Sequence, residues 1–299
     1  MRAFAAAVTF TVAVVEAQQP DWLLDPSPYV ARVERDADTG VVILDNGLLA
    51  LRLSGGGRMA LIGLEQRTAG QQLLRAAASL GEFVLDGRTV RLGGLEGQPD
   101  HAFLREEWLA DMKPIATAWQ NTADETGPIR ERFAWQRRRH CAPDAVWPPR
   151  GRHLAIRFSG PDQALAEVSI TVHFELYDGI PMFAHWLELE VGSGRREPVN
   201  VDSFTSLRLP IVEAESRVEP QRLGVRLPNI HVETDYAFHA MTGADGSSHC
   251  VRWLEDPEFH TQVNYQKQTL CLLEVKPDVG PDITVPPGGR FETFRTFVL

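Results

Sequence analysis

From Val168 to Tyr177, apolar and polar-tipped side chains alternate without a break. Val168, Ile170, Val172, Phe174 and Leu176 hold one phase, and Ser169, Thr171, His173, Glu175 and Tyr177 the other. Successive side chains of a β-strand point to opposite faces, so a period of two over this length predicts a long, half-buried strand. Asp178-Gly179 then offers a turn into the apolar run PMFAHWLELEV at 181–191. A hairpin of this kind has to bury its apolar phase against another layer.

The same grammar recurs along the chain. VVILDNGLLALRL (41–53) places two apolar runs around Asp45-Asn46-Gly47, a tight-hairpin signature, with Gly55-Gly56-Gly57 closing it. FVLDGRTVRL (83–92) repeats the pattern around Asp86-Gly87, VNVDSFTSLRLPIV (199–212) is a further run, and TLCLLEVKP (269–277) and RFETFRTFVL (290–299) flank Pro286-Pro287-Gly288-Gly289. Helical signals are few: QQLLRAAA (71–78) and AFLREEWLADM (102–112) suit short helices, though loop or strand fits them equally. Residues 113–165 are rich in Pro, Arg and Trp and read as long connections around one or two strands. Many strands punctuated by turns indicate an all-β chain, a large antiparallel β-sandwich with few short helices. No flexible linker marks a boundary, so 18–299 is read as a single sandwich domain. The chain stops at Phe297-Val298-Leu299, without a polar tail. We take this to mean either that the architecture continued or that the last strand is central to its sheet.

Lys and Arg number 30 against 40 Asp and Glu, a net charge of −10. That balance excludes a sequence-independent grip on nucleic acid and docking on anionic lipid, so neither nucleic acid nor membrane is an expected partner. Residues 1–17, MRAFAAAVTFTVAVVEA, read as a secretory signal peptide: Arg2, an apolar run from Ala3 to Val15, then Val15 and Ala17 at the small-residue positions of a cleavage site. The run is shorter than the about 20 apolar residues of a membrane span. A secreted or extracytoplasmic location follows. Three cysteines, Cys141, Cys250 and Cys271, form an odd set without metal-ligand spacing. They are read chiefly as small buried hydrophobes, with Cys250 and Cys271 the pair to test for a bridge.

Motifs for nucleotide, cofactor or metal are missing from the sequence: there is no G-x-S-x-G, P-loop, G-x-G-x-x-G or H-E-x-x-H. No cofactor and no metal are therefore expected. His173 and Glu175 share one strand face and His185 lies one hairpin arm away, a trio suited to acid–base work. The simpler reading is a solvent-facing sheet surface. HCVRWLEDPEFHTQVNYQ (249–266), with ETDYAF (233–238) upstream, brings together residue types that suit sugars, whose C–H faces stack on aromatic rings while hydroxyls need polar partners. Its carbohydrate-contact candidates are Asp235, Tyr236, Trp253, His260, Asn264 and Tyr265; the plainer alternative is a connecting loop. Trp135, Trp147 and Trp186 are read as core. Asp/Glu pairs are abundant, and spacing alone selects none of them as a glycosidase pair.

Taken together, ILDNGLLALRL, QQLLRA, LDGRTVRLGGLEGQPDHAFL, FELYDGIPMFAHWLELE and VPPGGRFETFRTF resemble the N-terminal β-supersandwich of α-galactosidase-type (melibiase, family 36) glycoside hydrolases, over roughly residues 24–299. The resemblance implies a galactose-mutarotase-like supersandwich. In that family the catalytic aspartates belong to a following (β/α)₈ barrel, and no alternating strand–helix pattern supplies one here, so no catalytic residue is carried over. Three readings stand at this point. The first is a non-catalytic carbohydrate-associated domain, inactive by itself, that packs on a barrel or self-associates through an apolar docking face. The second is a mutarotase-like sugar enzyme using His173, Glu175 and His185. The third is a secreted structural or interaction protein.

Overall fold

The structure is a computed structural model describing residues 20–212, 230–236, 249–261 and 264–299. The signal segment read at 1–17 lies outside the described residues. The largest sheet is antiparallel throughout and runs Gln120–Pro128, Gly151–Ser159, Val168–Tyr177, Phe183–Val191, Thr296–Val298 and Val232–Thr234, with Arg290–Glu292 also pairing Phe183–Val191. The chain's final strand is thus an interior one. A five-stranded sheet takes Arg32–Arg35, Val42–Asp45, Leu49–Leu53, Leu61–Gln66 and Gln71–Gln72 in chain order. A four-stranded sheet runs Pro281–Val285, Val199–Thr205, Glu82–Leu85, Arg88–Arg91, and a three-stranded one Leu207–Pro210, Leu270–Val275, Val251–Glu255. One continuous core draws on all four, from Leu44 and Leu51 through Phe83 and Val201 to Val172, Leu207 and Leu273. This is the all-β sandwich that the alternation predicts.

The turns form where the sequence puts them. Asp86 and Gly87 both have positive φ (46° and 72°), the conformation a two-residue hairpin loop of the right twist requires. Asn46 does more than turn the chain. Its Oδ1 accepts from the Leu48 and Leu49 amides, both at 2.9 Å, and its Nδ2 donates to the carbonyls of Tyr177 at 2.7 Å and Ile180 at 2.8 Å. One buried amide therefore clamps the hairpin of Val42–Asp45 and Leu49–Leu53 to the end of the largest sheet.

Three stretches that the sequence left open take a definite form. Gln71–Gln72 is a short strand and no helix forms in 71–78: the chain bends at Arg75-Ala76 and makes single bridges at Leu74 and Ala78, with Leu73, Leu74, Ala76 and Ala78 buried. Only Glu106–Leu109, a single turn, is helical in 102–112. The run 199–212 is two strands in two sheets, broken at the buried Ser206, whose hydroxyl lies 3.2 Å from His185 Nδ1 and 3.1 Å from Thr296 Oγ1. The three thiols are free: Cys250 and Cys271 are buried, as small hydrophobes, and Cys141 is half-buried.

Candidate functional site

In the Val168–Tyr177 strand, Val168, Ile170, Val172, Phe174 and Leu176 enter the core as the period of two requires. The opposite face is not the solvated surface expected of it. Glu175 is 3% exposed and Tyr177 6%, because the segment between Pro128 and Gly151 folds over this end of the sheet. Between the segment and the sheet lies a cavity of about 450 Å³. Glu175, Tyr177 and Phe297 come from the strands, Arg295 from the link just before Thr296–Val298, Arg132, Phe133, Trp147 and Arg150 from the covering segment, and Asp235 from the chain beyond Val232–Thr234.

A connected polar group forms one side of the cavity. Glu175 Oε2 accepts from the Tyr177 hydroxyl at 2.9 Å and from Arg295 Nη1 at 3.0 Å. The Arg295 guanidinium lies 3.8 Å over the Trp186 ring, and its backbone N–H donates to Asp235 Oδ1 at 2.7 Å. Asp235 also binds Arg132, which reaches Glu292 at 3.7 Å. Burial pushes the Glu175 carboxyl above its ordinary range, opposed by Arg295 and the Tyr177 bond, and burial raises the Tyr177 phenol too. The apolar side is built from Phe133 and Trp147, whose rings stand 4.7 Å apart, with Trp135 6.2 Å beyond. Trp147 Nε1 donates to the Phe133 carbonyl at 3.0 Å, fixing the pair. Phe133 is 54% exposed. Of the three tryptophans expected in the core, only Trp186 is buried, on the sheet face it shares with His173; Trp135 and Trp147 are half-buried surface rings.

Beneath this group runs a ladder of parallel rings. His153 and His173 stack at 5.2 Å, with Nε2 of the first 3.0 Å from Nδ1 of the second, and His173 stacks on Trp186 at 4.6 Å. Burial lowers both histidines, to about 4 for His153 and about 3 for His173, the adjacent imidazoles and Arg295 adding to the effect on His173. Both rings are neutral at neutral pH.

The acid–base trio does not assemble. Cross-strand pairing sets His173 opposite Trp186 but Phe174 opposite His185, so His185 points to the core, fully buried, with Nε2 donating to the Leu80 carbonyl at 3.1 Å. His173 and Glu175 remain on the other face.

The six sugar-contact candidates separate likewise. Asp235 lines the cavity, whereas Tyr236 packs on Phe294 at 5.4 Å and Trp253 against the main core. Asn264 is buried and holds its own loop, accepting from the amides of Gln268 and Thr269 and donating to the Phe259 carbonyl. His260 and Tyr265 are exposed and line neither this cavity nor the second one. That second cavity, about 430 Å³, is edged by Ala76–Ala78, by the Arg91–Glu82 ion pair and by His101 beside Glu258; no Phe, Tyr or Trp is among its lining residues. Reasoning from the sequence missed Arg132, Phe133, Arg150, Tyr177 and Arg295. The available signal was the density of Arg and Trp in a segment read only as a connection.

No family model matches this sequence, and no curated protein does. Among solved structures, the chain is similar to the GH36 α-galactosidase AgaB from Geobacillus stearothermophilus, with a TM-score of 0.45 and 12% identity over 90% of this chain and 40% of that one. It is similar also to the α-galactosidase from Lactobacillus brevis, with a TM-score of 0.43 and 9% identity over 89% of this chain and 40% of that one. The chain thus spans less than half the length of either enzyme.

Proposed function

We propose that this chain is a non-catalytic, carbohydrate-associated β-sandwich domain of the α-galactosidase type, and that it holds sugar in the cavity between the largest sheet and the 129–150 segment. The observation that carries the reading is the composition of that cavity. Trp147 and Phe133 offer ring faces for the C–H surface of a sugar, and the Glu175–Tyr177–Arg295 group and the Arg132–Asp235 pair offer charged donors and acceptors for hydroxyls. Buried polar groups already held by one another are a rigid template for a ligand, which is how a small pocket gains orientation specificity. The phrases shared with α-galactosidase sandwiches support the family; packing on a catalytic barrel, or self-association, is the partner arrangement that goes with it. An export signal at 1–17 belongs to the same reading.

Chromogenic α- and β-galactosides and related glycosides, offered to the purified protein, test the non-catalytic half. The expected result is no turnover, while methyl α-galactoside binds in calorimetry. Turnover that disappears in Glu175→Gln would overturn the proposal in favour of an enzyme working at the same cavity.

A further inference from the structure

The segment that roofs the cavity is charged against the rest of the chain. Residues 130–152 contain Arg130, Arg132, Arg137, Arg138, Arg139, Arg150 and Arg152 but only Glu131 and Asp144, a surplus of five positive charges in a protein whose net charge is −10. Two of these arginines are matched: Arg130 by Glu125 at 3.4 Å, and Arg132 by Asp235 and Glu292. Among the described residues, the other five make no ion pair.

Two of the cavity's three acids are ion-paired, and the third, Asp178, is held by a backbone amide. Glu175 is held by Arg295, Asp235 by Arg132, and Asp178 Oδ1 accepts from the Ala31 amide at 2.8 Å. Arg150 is the lining cation left over. Its main chain is fixed, because its carbonyl accepts from the Asp178 amide at 3.0 Å, while its side chain is exposed. An arginine anchored at the mouth of an aromatic pocket, with no carboxylate of its own, is the arrangement that recognises a ligand carboxylate through paired N–H donors. The positive surplus of the 130–152 segment raises the potential that draws an anion past the chain's overall negative charge.

We infer that the cavity takes an acidic sugar, a residue bearing a uronic carboxylate. Its ring lies on Trp147 and Phe133, and its carboxylate meets Arg150. This rests on the cavity being a sugar site, as proposed above, and narrows what that site selects.

The test is calorimetric titration of the full chain at low salt with three ligands: methyl α-galacturonoside, its uncharged methyl ester, and methyl α-galactoside. The expected result is binding of the free acid about tenfold tighter than of either neutral ligand, from one charge-assisted pair. The preference should shrink as salt is raised and fall toward one in Arg150→Gln. Equal binding of all three overturns the inference and leaves the cavity a neutral-sugar site. Retention of the full preference in Arg150→Gln overturns the assignment to Arg150. Binding of none overturns the sugar reading itself. Tighter binding of polyglutamate than of the uronide would replace the sugar with an acidic protein partner and likewise overturn the inference.

Discussion

His185 makes the fold acid-labile in a way that one substitution isolates. The ring is fully buried on the core side of the sheet, between the Leu80 carbonyl and the Ser206 hydroxyl, with the Phe174 ring edge-on at 4.9 Å. Nε2–H donates and Nδ1 accepts, so the neutral tautomer is satisfied. Burial lowers its pKa to about 3, against about 6.5 in the unfolded chain. The folded value is the depressed one, and the unfolded state therefore takes the proton first. The contribution is intact above about pH 6.5 and is lost as pH falls from there towards about 3. Each pH unit in that window removes about 1.4 kcal/mol, so at pH 4.5 this one histidine costs about 3 kcal/mol. Glu175, whose carboxyl burial raises, works in the opposite direction, which makes the comparison with a variant necessary. His185→Gln keeps a donor and an acceptor but does not titrate. Urea unfolding followed by circular dichroism at half-unit steps from pH 7 to 4.5 should show parallel curves near pH 7 and, below about pH 6, a dependence shallower by about 1.4 kcal/mol per pH unit in the variant. Parallel curves down to pH 4.5 would refute the reasoning that burial outweighs the Leu80 hydrogen bond and keeps this imidazole neutral.

Other perturbations have equally definite outcomes. Arg75 is wholly buried and binds Asp256, the Ile211 and His101 carbonyls and the face of Phe259, so Asp256→Asn should destabilise by about 3–5 kcal/mol in denaturant titration. The Arg75→Met, Asp256→Leu double variant should recover most of that loss, because it leaves no charge stranded. Asn46→Ala strands two amides and two carbonyls at the hairpin clamp and should cost about 3 kcal/mol or more by the same measurement. Gly93→Ala should lower the melting temperature by several degrees or block folding: φ there is +61°, and a Cβ would lie 1.9 Å from the Met59 carbonyl oxygen.

The fold was legible in the sequence wherever one residue pattern left one physical solution. The alternation at 168–177 admits nothing but a strand with Val168 to Leu176 inside, and Asp86-Gly87 and Asn46-Gly47 turn where hairpins must. The run 199–212 is visible as strand, but its pattern does not say where the chain leaves one sheet for another. That break depends on Ser206 meeting His185 and Thr296 across the core. The site was legible only in pieces. Glu175 and Asp235 were singled out, but on separate grounds, and their joint attachment to Arg295 brings together residues 120 and 60 positions from it in sequence. His185 was placed with His173 because both lie near the same turn. Whether two residues on paired strands share a face depends on the register, and here Phe174 rather than His173 is its partner. The arginine and tryptophan content of 130–150 was visible throughout; what the sequence does not show is that this connection lies back across the sheet, turning an expected solvated face into a cavity.

The central claim is that this cavity binds sugar between Trp147 and the Glu175–Arg295 pair. The most direct measurement is a tryptophan-fluorescence titration of the protein and of Trp147→Ala with methyl α-galactoside and methyl α-galacturonoside. The account predicts saturable binding by the parent protein, weakened at least about tenfold in the variant by loss of the stacking face, with both proteins equally folded by circular dichroism. Saturable binding that is the same in both proteins would place the sugar elsewhere and contradict the account.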